Sequence, residues 1–144
     1  MVQPATKTGA LSSRLLVPSA FVSVMIDHAR QQLPEECCGL LSGVEQQVRS
    51  IFRLNNESPD PRTGFLATAG LVAPFKQMRQ AGEELLAIYH SHPASPAVPS
   101  RKDLALNYYP QVIHVIVSLV EPTPTVRAYL LGASDFVEVE IAET

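Results

Sequence analysis

Two histidines one residue apart, followed by a serine and an aspartate, are the residues in this chain best suited to chemistry. They are His90, His92, Ser100 and Asp103, with the spacing His-x-His-x7-Ser-x2-Asp. Side chains two apart on a β-strand point to the same face, so the two imidazoles would emerge side by side if a strand reaches them. Two imidazoles and a carboxylate can bind one metal ion and leave a position for water, as in catalytic zinc sites.

The same residues also have structural interpretations. A His-Ser-His-Pro segment, taken alone, is typical of a polar turn after a strand. Ser100 and Asp103 follow Pro99 with the spacing of a capping pair at the start of a helix. This interpretation does not exclude a metal site, because an aspartate in a first helical turn can also point outward to an ion.

The apolar and β-branched segments around these residues predict the elements that position them. A buried strand over 84–90 leads into the first histidine, and a short helix over 101–108 follows the proline-rich loop. The β-branched stretch 112–120 predicts a central strand. The final strands are expected over 126–131 and 136–141, and the alternation in the second is typical of a half-exposed edge strand.

The first half of the chain predicts two helices and three strands. A helix over 20–32 would begin with Ser19 as N-cap and stop before Pro34, and a second helix would end at Gly82. That second helix covers 71–81. The remaining expectations are an edge strand over 14–17, strands over 37–44 and 48–54, a loop over 55–64 and a short extended piece over 65–67. Strands and helices interleave, yet two strand pairs are joined too tightly for a helical crossover. This pattern predicts a three-layer α/β sandwich with a mixed central β-sheet flanked by helices.

Length and composition predict one domain over 14–144 after a flexible N-terminal tail over 1–13. With 46% hydrophobic residues in 144, the chain can build a core without disulfides. The net charge of -3, without a basic cluster, argues against nucleic acid and anionic membrane as partners. No signal peptide or membrane span is apparent, so a cytoplasmic protein is expected. The adjacent Cys37 and Cys38 are expected to be buried packing residues rather than a disulfide or metal pair.

The spacing from His90 to Asp103, joined to an upstream glutamate, resembles the signature of the JAMM, or MPN+, metalloprotease family. The segment Pro34-Glu35-Glu36-Cys37-Cys38-Gly39-Leu40-Leu41 is similar to the Glu-x-Cys-Gly-Leu-Leu segment of that family. On this alignment Glu36, rather than Glu35, takes the catalytic position, because it stands two residues before Cys38. The compact chain, without the insertion that carries a second zinc site in some relatives, is most similar to the small prokaryotic members.

The resemblance implies a deaminase-like JAMM/MPN fold and a zinc-dependent peptidase or isopeptidase. In this interpretation His90, His92 and Asp103 bind one catalytic Zn²⁺, Glu36 is the general acid and base, and Ser100 donates a hydrogen bond to the oxyanion. The implied substrate is a ubiquitin-like or sulfur-carrier protein, cleaved after its C-terminal Gly-Gly. The alternative is a non-catalytic MPN scaffold for protein assembly, although scaffold members generally lack the ligands.

Three further expectations concern a competing reaction class and the histidines outside the motif. A zinc deaminase is disfavoured, because the chain lacks its Pro-Cys-x-x-Cys pattern. His28, on the first helix, is interpreted as a solvated surface residue. His114, within the predicted central strand, is interpreted as a hydrogen-bonded core residue rather than a ligand.

Overall fold

The computed structural model describes residues 14–105 and 111–144. Within these residues the chain forms seven β-strands, three α-helices and one 3-10 helix over Ala69–Leu71. The strands are β1 (Arg14–Val17), β2 (Cys38–Val44), β3 (Gln47–Leu54), β4 (Glu84–His92), β5 (Ile113–Ser118), β6 (Thr125–Leu131) and β7 (Phe136–Glu143). The helices are α1 (Ser19–Gln32), α2 (Val72–Ala81) and α3 (Arg101–Ala105). The predicted tail over 1–13 and the end of the predicted helix over 101–108 lie outside the described residues.

The sheet is mixed, as predicted, but it closes on itself. The strand order is β1-β3-β2-β4-β5-β6-β7, and β1 pairs in parallel with both β3 and β7. The predicted three-layer sandwich is therefore confirmed in its mixed sheet and its helices, but the sheet is a closed barrel rather than the plain central layer of a sandwich. Neither β1 nor β7 is an edge strand, because β7 also pairs with β6. The pairing of Leu15 with Ile141, which are far apart in the sequence, closes the barrel. No local sequence pattern predicts such a contact.

The largest core cluster fills the interior of this barrel and the space under α1. It joins alternate residues of the central strands, such as Ala87 and Tyr89 on β4 and Val115 and Val117 on β5, to Met25 on α1. These residues share one side of their strands because side chains alternate along a strand. The opposite side of β4 carries Ile88 and His90, and it faces α2 and the loop after β3.

Helix α1 forms where it was predicted, with two corrections. Ser19 is the first helical residue rather than the N-cap: Pro18 precedes the helix, and the Ser19 hydroxyl donates to the Thr144 carbonyl across the end of β7 at 3.5 Å. His28 is 4% exposed, so the prediction of a solvated residue is wrong. Its Nδ1 lies 2.7 Å from the hydroxyl of Tyr89, which gives the buried imidazole a partner.

The second half of the chain follows the predicted order closely. Helix α2 ends at Gly82, whose φ of 69° is the left-handed conformation that glycine adopts without strain. The predicted extended piece over 65–67 has no regular structure. Strand β4 runs two residues further than predicted and includes His92.

No helix among the described residues combines the length and apolar character needed to cross a membrane.

Candidate metal centre

Strand β4 brings the two histidines together because both lie within it. His90 and His92 pair with Ile116 and Ser118 of the parallel strand β5, so the strand geometry persists through both residues. Every residue from Ala87 to His92 is buried. The two imidazoles therefore project from the same face of a strand that is fixed on both sides.

The ring nitrogens of these histidines converge on the carboxylate of Asp103. The Nε2 atoms of His90 and His92 are 3.2 Å apart. Asp103 Oδ1 lies 3.2 Å from His90 Nε2, and Asp103 Oδ2 lies 3.0 Å from His92 Nε2. These three residues are the group of possible metal ligands found among the described residues, and they are all nearly or fully buried.

The proline-rich loop fixes the orientation of His92. Its Nδ1 lies 2.8 Å from the carbonyl oxygen of Pro96. A carbonyl only accepts, so Nδ1 carries the hydrogen. The Nε2 atom, which faces Asp103, donates to it when the ring is protonated and offers a lone pair when the ring is neutral. Such a backbone partner is the usual means of orienting a histidine ligand.

Ser100 and Asp103 form the reciprocal capping pair at the start of α3. The Ser100 hydroxyl accepts from the Asp103 backbone N–H at 3.0 Å, and Asp103 Oδ2 accepts from the Ser100 N–H at 2.9 Å. The predicted capping role is confirmed. It coexists with the cluster, because the same carboxylate also lies against both histidines and the serine hydroxyl keeps its own hydrogen free to donate.

The electrostatics of the cluster favour a cation between its members. Burial acts to raise the pKa of Asp103, but the hydrogen bonds to His90 and His92 outweigh it and hold that pKa well below its usual range. Burial acts to lower the pKa of His92, whereas its bonds to Asp103 and Pro96 raise it, and the net shift is upward. The Asp103 carboxylate therefore stays ionised although it is buried, and a positive charge beside it would stabilise it.

Glu36 is held beside this cluster by its main chain. It lies two residues before the first residue of β2, and β2 pairs with β4 so that Cys38 lies opposite His90. The next residue, Cys37, donates its N–H to the hydroxyl of Ser91 at 2.7 Å. From the other side, the Glu36 N–H donates to the Pro61 carbonyl at 2.8 Å, and Asn56 Nδ2 donates to the Glu36 carbonyl at 3.0 Å.

The Glu36 carboxyl is buried without a full set of partners. It is 4% exposed, and its Oε1 has no hydrogen-bond partner among the described residues. Burial raises its pKa to about 8, against the opposing charges of His92 and Lys102. A buried carboxyl with a shifted pKa and an unsatisfied oxygen is characteristic of a functional site.

The ligand set fits a zinc ion. Neutral imidazole nitrogens and a carboxylate oxygen are ordinary zinc ligands, and bonds of about 2.0–2.1 Å in tetrahedral geometry separate ligand atoms by about 3.3 Å. The observed separations of 3.0–3.2 Å are close to that value. Mixed imidazole and carboxylate ligands would also accept iron, cobalt or manganese. His90, His92 and Asp103 are therefore the residues that would hold the ion.

A cavity of about 390 Å³ opens beside the cluster, and sequence reasoning did not define it. His90, Asp103 and Lys102 border it, together with the loop that follows β3. Phe65 of this loop stacks on the His90 ring, with centroids 4.5 Å apart and an angle of 22°. Phe65 lies eleven residues after the end of β3, and nothing in its local sequence signals such a contact.

The remaining histidine and cysteine predictions are largely confirmed. His114 is buried and borders the cavity, and it is not among the clustered ligand atoms. Burial lowers its pKa to about 4. Cys37 and Cys38 are buried free thiols, and burial raises their pKa values to about 11 and about 12.

A barrel that carries a buried histidine and aspartate cluster, with a buried glutamate just before the neighbouring strand, defines a small protein with a candidate hydrolytic metal centre. The chain belongs to the family described as prokaryotic homologs of the JAB domain, whose model matches residues 18–132. This finding confirms the family resemblance inferred from the motif.

Three relatives align with most of the chain. A probable TtuB-protein conjugate cleaving protease from Thermus thermophilus is 36% identical over 118 residues, covering 81% of this chain and 76% of that protein. The CysO-cysteine peptidase of Mycobacterium tuberculosis is 34% identical over 110 residues, 75% of each chain. The desampylase of Haloferax volcanii is 28% identical over 138 residues, 91% of this chain and 97% of its own. All three names describe cleavage.

Solved structures share the fold. The solution structure of a Desulfitobacterium hafniense protein matches with a TM-score of 0.76 and 32% identity, covering 91% of this chain and 94% of that one. A structure described as a metalloprotease-like zinc site in the proteasome and signalosome, JAMM, matches with a TM-score of 0.56 and 20% identity, covering 91% and 100%. This second match shows a common JAMM fold.

Proposed function

We propose that this protein is a zinc-dependent peptidase or isopeptidase that hydrolyses the bond after the C-terminal Gly-Gly of a ubiquitin-like or sulfur-carrier protein. One observation carries the proposal: contacts of 3.0–3.2 Å join each pair among His90, His92 and Asp103, beside the buried Glu36 carboxyl. The peptidase and conjugate-cleaving names of the relatives support the reaction class and the kind of substrate.

The residues of the site would divide the work of hydrolysis. His90, His92 and Asp103 would hold the ion, which when bound supplies an activated water and polarises the scissile carbonyl. Glu36 would accept a proton from the attacking water at its unsatisfied oxygen and deliver it to the leaving amine. Its raised pKa suits both steps, because the protonated and ionised forms are close in free energy near neutral pH.

Ser100 would stabilise the oxygen anion that develops on the scissile carbonyl. Its hydroxyl oxygen accepts from the Asp103 N–H, which fixes the side chain while leaving the hydroxyl hydrogen available. A donor aimed at charge that forms only in the transition state affects rate more than binding, by roughly 100- to 1000-fold.

Metal content and turnover measured together test the proposal. The substrate is a ubiquitin-like carrier that ends in Gly-Gly and bears one added residue or a short C-terminal extension, and its cleavage is followed by mass spectrometry. We expect Glu36→Gln to keep zinc and lose cleavage, because the glutamate acts beside the ligands. His92→Ala and Asp103→Ala should lose zinc. Zinc at the wild-type level in both ligand variants would show that the assignment of ligands is wrong.

Glu35→Gln is the matched control for Glu36→Gln. It removes the adjacent carboxylate, which is only half-buried, and should leave both zinc content and cleavage unchanged. Loss of cleavage in Glu35→Gln with activity retained in Glu36→Gln would mean that the wrong glutamate carries the role. A zinc-loaded wild type that binds carriers without cleaving any of them would favour the scaffold alternative.

A further inference from the structure

Lys102 places a positive charge at the border of the cavity beside the candidate metal centre. It lies between Arg101 and Asp103 in the first turn of α3, and it borders the same cavity as His90. Among the described residues that line the cavity, it is the one lysine or arginine. Because Asp103 lines this cavity as well, the ammonium group borders the space next to two of the candidate ligands.

The side chain of Lys102 is directed by the loop that follows β3. Its stem packs over Gly64 so closely that a Cβ added to that glycine would lie 2.7 Å from Lys102 Cε. Its Nζ donates to the Thr63 hydroxyl at 3.3 Å and lies 3.8 Å from Asp60 Oδ2. The lysine stem is thus fixed while its charged end remains at the border of the cavity.

The partners of the ammonium group leave it able to bind another anion. The lysine side chain is 39% exposed and that of Asp60 is 67% exposed, and exposed ion pairs of this kind contribute about 0–1 kcal/mol. Thr63 is already engaged with Asp60 through its own hydroxyl, which donates at 2.8 Å. Since an ammonium group has three hydrogens, a carboxylate entering the cavity can be bound by Lys102 at little cost.

We propose, on the basis of the function proposed above, that Lys102 binds the free α-carboxylate of a single amino acid joined to the carrier terminus. Hydrolysis breaks the C–N bond after Gly-Gly and forms a C–O bond to water. The proton released by the water passes to the amine, so the products are the carrier carboxylate and a free α-amino acid. The carboxylate of that amino acid stands one carbon from the departing amine, within reach of a cation beside the reacting atoms.

The other substrates open to such an enzyme lack this group. An isopeptide-linked protein departs through a lysine ε-amine, which has no carboxylate next to it. A longer extension has a neutral amide at the same position. The cavity walls also suit a side chain without charge, because they are formed largely by apolar residues such as Leu40, Phe65 and Ile88. The preferred leaving group is therefore one amino acid with an uncharged side chain and a free carboxylate.

Peptide binding tests this inference independently of turnover. Zinc-loaded Glu36→Gln protein is titrated with Gly-Gly-Ala and with Gly-Gly-Ala amide, and the dissociation constants are measured by NMR. We expect the free acid to bind about three- to fivefold more tightly, as for a partly exposed ion pair. Adding Lys102→Met should remove this preference while leaving the affinity for the amide unchanged.

Controls separate the specific role of Lys102 from charge and structure. Lys76→Met removes an equal charge from an exposed position on α2 and should keep the preference. Gly64→Ala keeps the charge but displaces the lysine stem, and it should reduce the preference. Asp60→Asn removes the competing carboxylate and should increase it. An equal affinity of the parent protein for acid and amide, or a preference that persists in Lys102→Met, would overturn the inference.

Cleavage assays distinguish failure of this inference from failure of the proposed function. The carrier is prepared with one C-terminal alanine, either as the free acid or as the amide. Faster cleavage of the acid by the wild type, lost in Lys102→Met, supports both. Equal cleavage of the two substrates by both proteins rejects the role of Lys102 and leaves the peptidase standing. Cleavage of neither, with the binding preference present, rejects the peptidase and leaves the carboxylate site standing.

Discussion

Replacement of Asn56 should weaken both the fold and the site. Asn56 Nδ2 donates to the carbonyls of Glu36 and Gly64, each at 3.0 Å, and Oδ1 accepts from the N–H groups of Ser58 and Leu66 at 3.0 and 3.1 Å. Each such bond contributes about 0.5–1.5 kcal/mol net. Water can replace Asn56 at the exposed Leu66 contact more readily than at the two carbonyls. We therefore expect Asn56→Ala to lower the free energy of unfolding by about 2–3 kcal/mol.

The same change should reduce turnover without removing the metal. Asn56 holds the main chain of Glu36 and does not contact the three candidate ligands. A displacement of about 1 Å in a catalytic group can cost about 100-fold in rate, so a loss of about 10- to 100-fold at full zinc content is expected. Urea denaturation gives the stability, metal analysis the zinc content and mass spectrometry the turnover.

Asn56→Asp tests which half of the side chain matters. The aspartate keeps an acceptor for Ser58 and Leu66 but cannot donate to the carbonyls of Glu36 and Gly64. We expect it to be at least as destabilising as Asn56→Ala, because a carboxylate would face those two carbonyls. A loss below about 0.5 kcal/mol with normal turnover in either variant would refute the reasoning.

Two further predictions concern Ser100 and His28. Ser100→Ala should cost only about 1 kcal/mol through the lost cap but lower kcat by roughly 100- to 1000-fold. Turnover reduced less than tenfold, measured with stability on the same preparation, would exclude the oxyanion role. Burial and the charge of Arg53 lower the pKa of His28 to about 4. In the unfolded chain His28 takes up a proton near pH 6.5, whereas in the folded chain it does so only near pH 4. The free energy of unfolding should therefore be highest above pH 6.5 and should fall as the pH decreases from 6.5 to 4. The slope is up to about 1.4 kcal/mol per pH unit for this group. Urea denaturation at pH 7.5 and 5.5 should show a smaller loss for His28→Gln, and equal losses in both proteins would contradict this account.

The sequence predicted the ligand-bearing strand because its signal is local. An apolar run ends in His90 and His92, and the alternation of a strand is enough to place both rings on one face. The capping spacing of Ser100 and Asp103 likewise predicted their mutual hydrogen bonds. Glu36 could be singled out only by the family resemblance, since nothing within its own segment shows that β2 lies beside β4.

The errors have a common physical origin in contacts between distant parts of the chain. Closure of the barrel depends on β1 meeting β7, more than 100 residues away, as in the pairing of Arg14 with Glu140. His28 is polar and was therefore assigned to the surface, yet the hydroxyl of Tyr89 provides its buried partner. The contacts of Phe65, Lys102 and Asn56 depend on the path of the loop after β3. Helical and strand periodicity does not predict that path.

The two candidate histidine ligands lie on β4, and Glu36 lies just before the neighbouring strand β2, which bears on how such an enzyme can diversify. The register between Cys38 and His90 fixes their relation, and a slip of one residue would turn every side chain to the opposite face. The groups inferred to select the leaving group, Gly64 and Lys102, belong instead to a connecting loop and a short helix. Substitutions at Gly64 that keep Asn56 and Pro61, which hold the main chain of Glu36, are therefore the changes expected to alter leaving-group selectivity while the candidate metal centre stays intact.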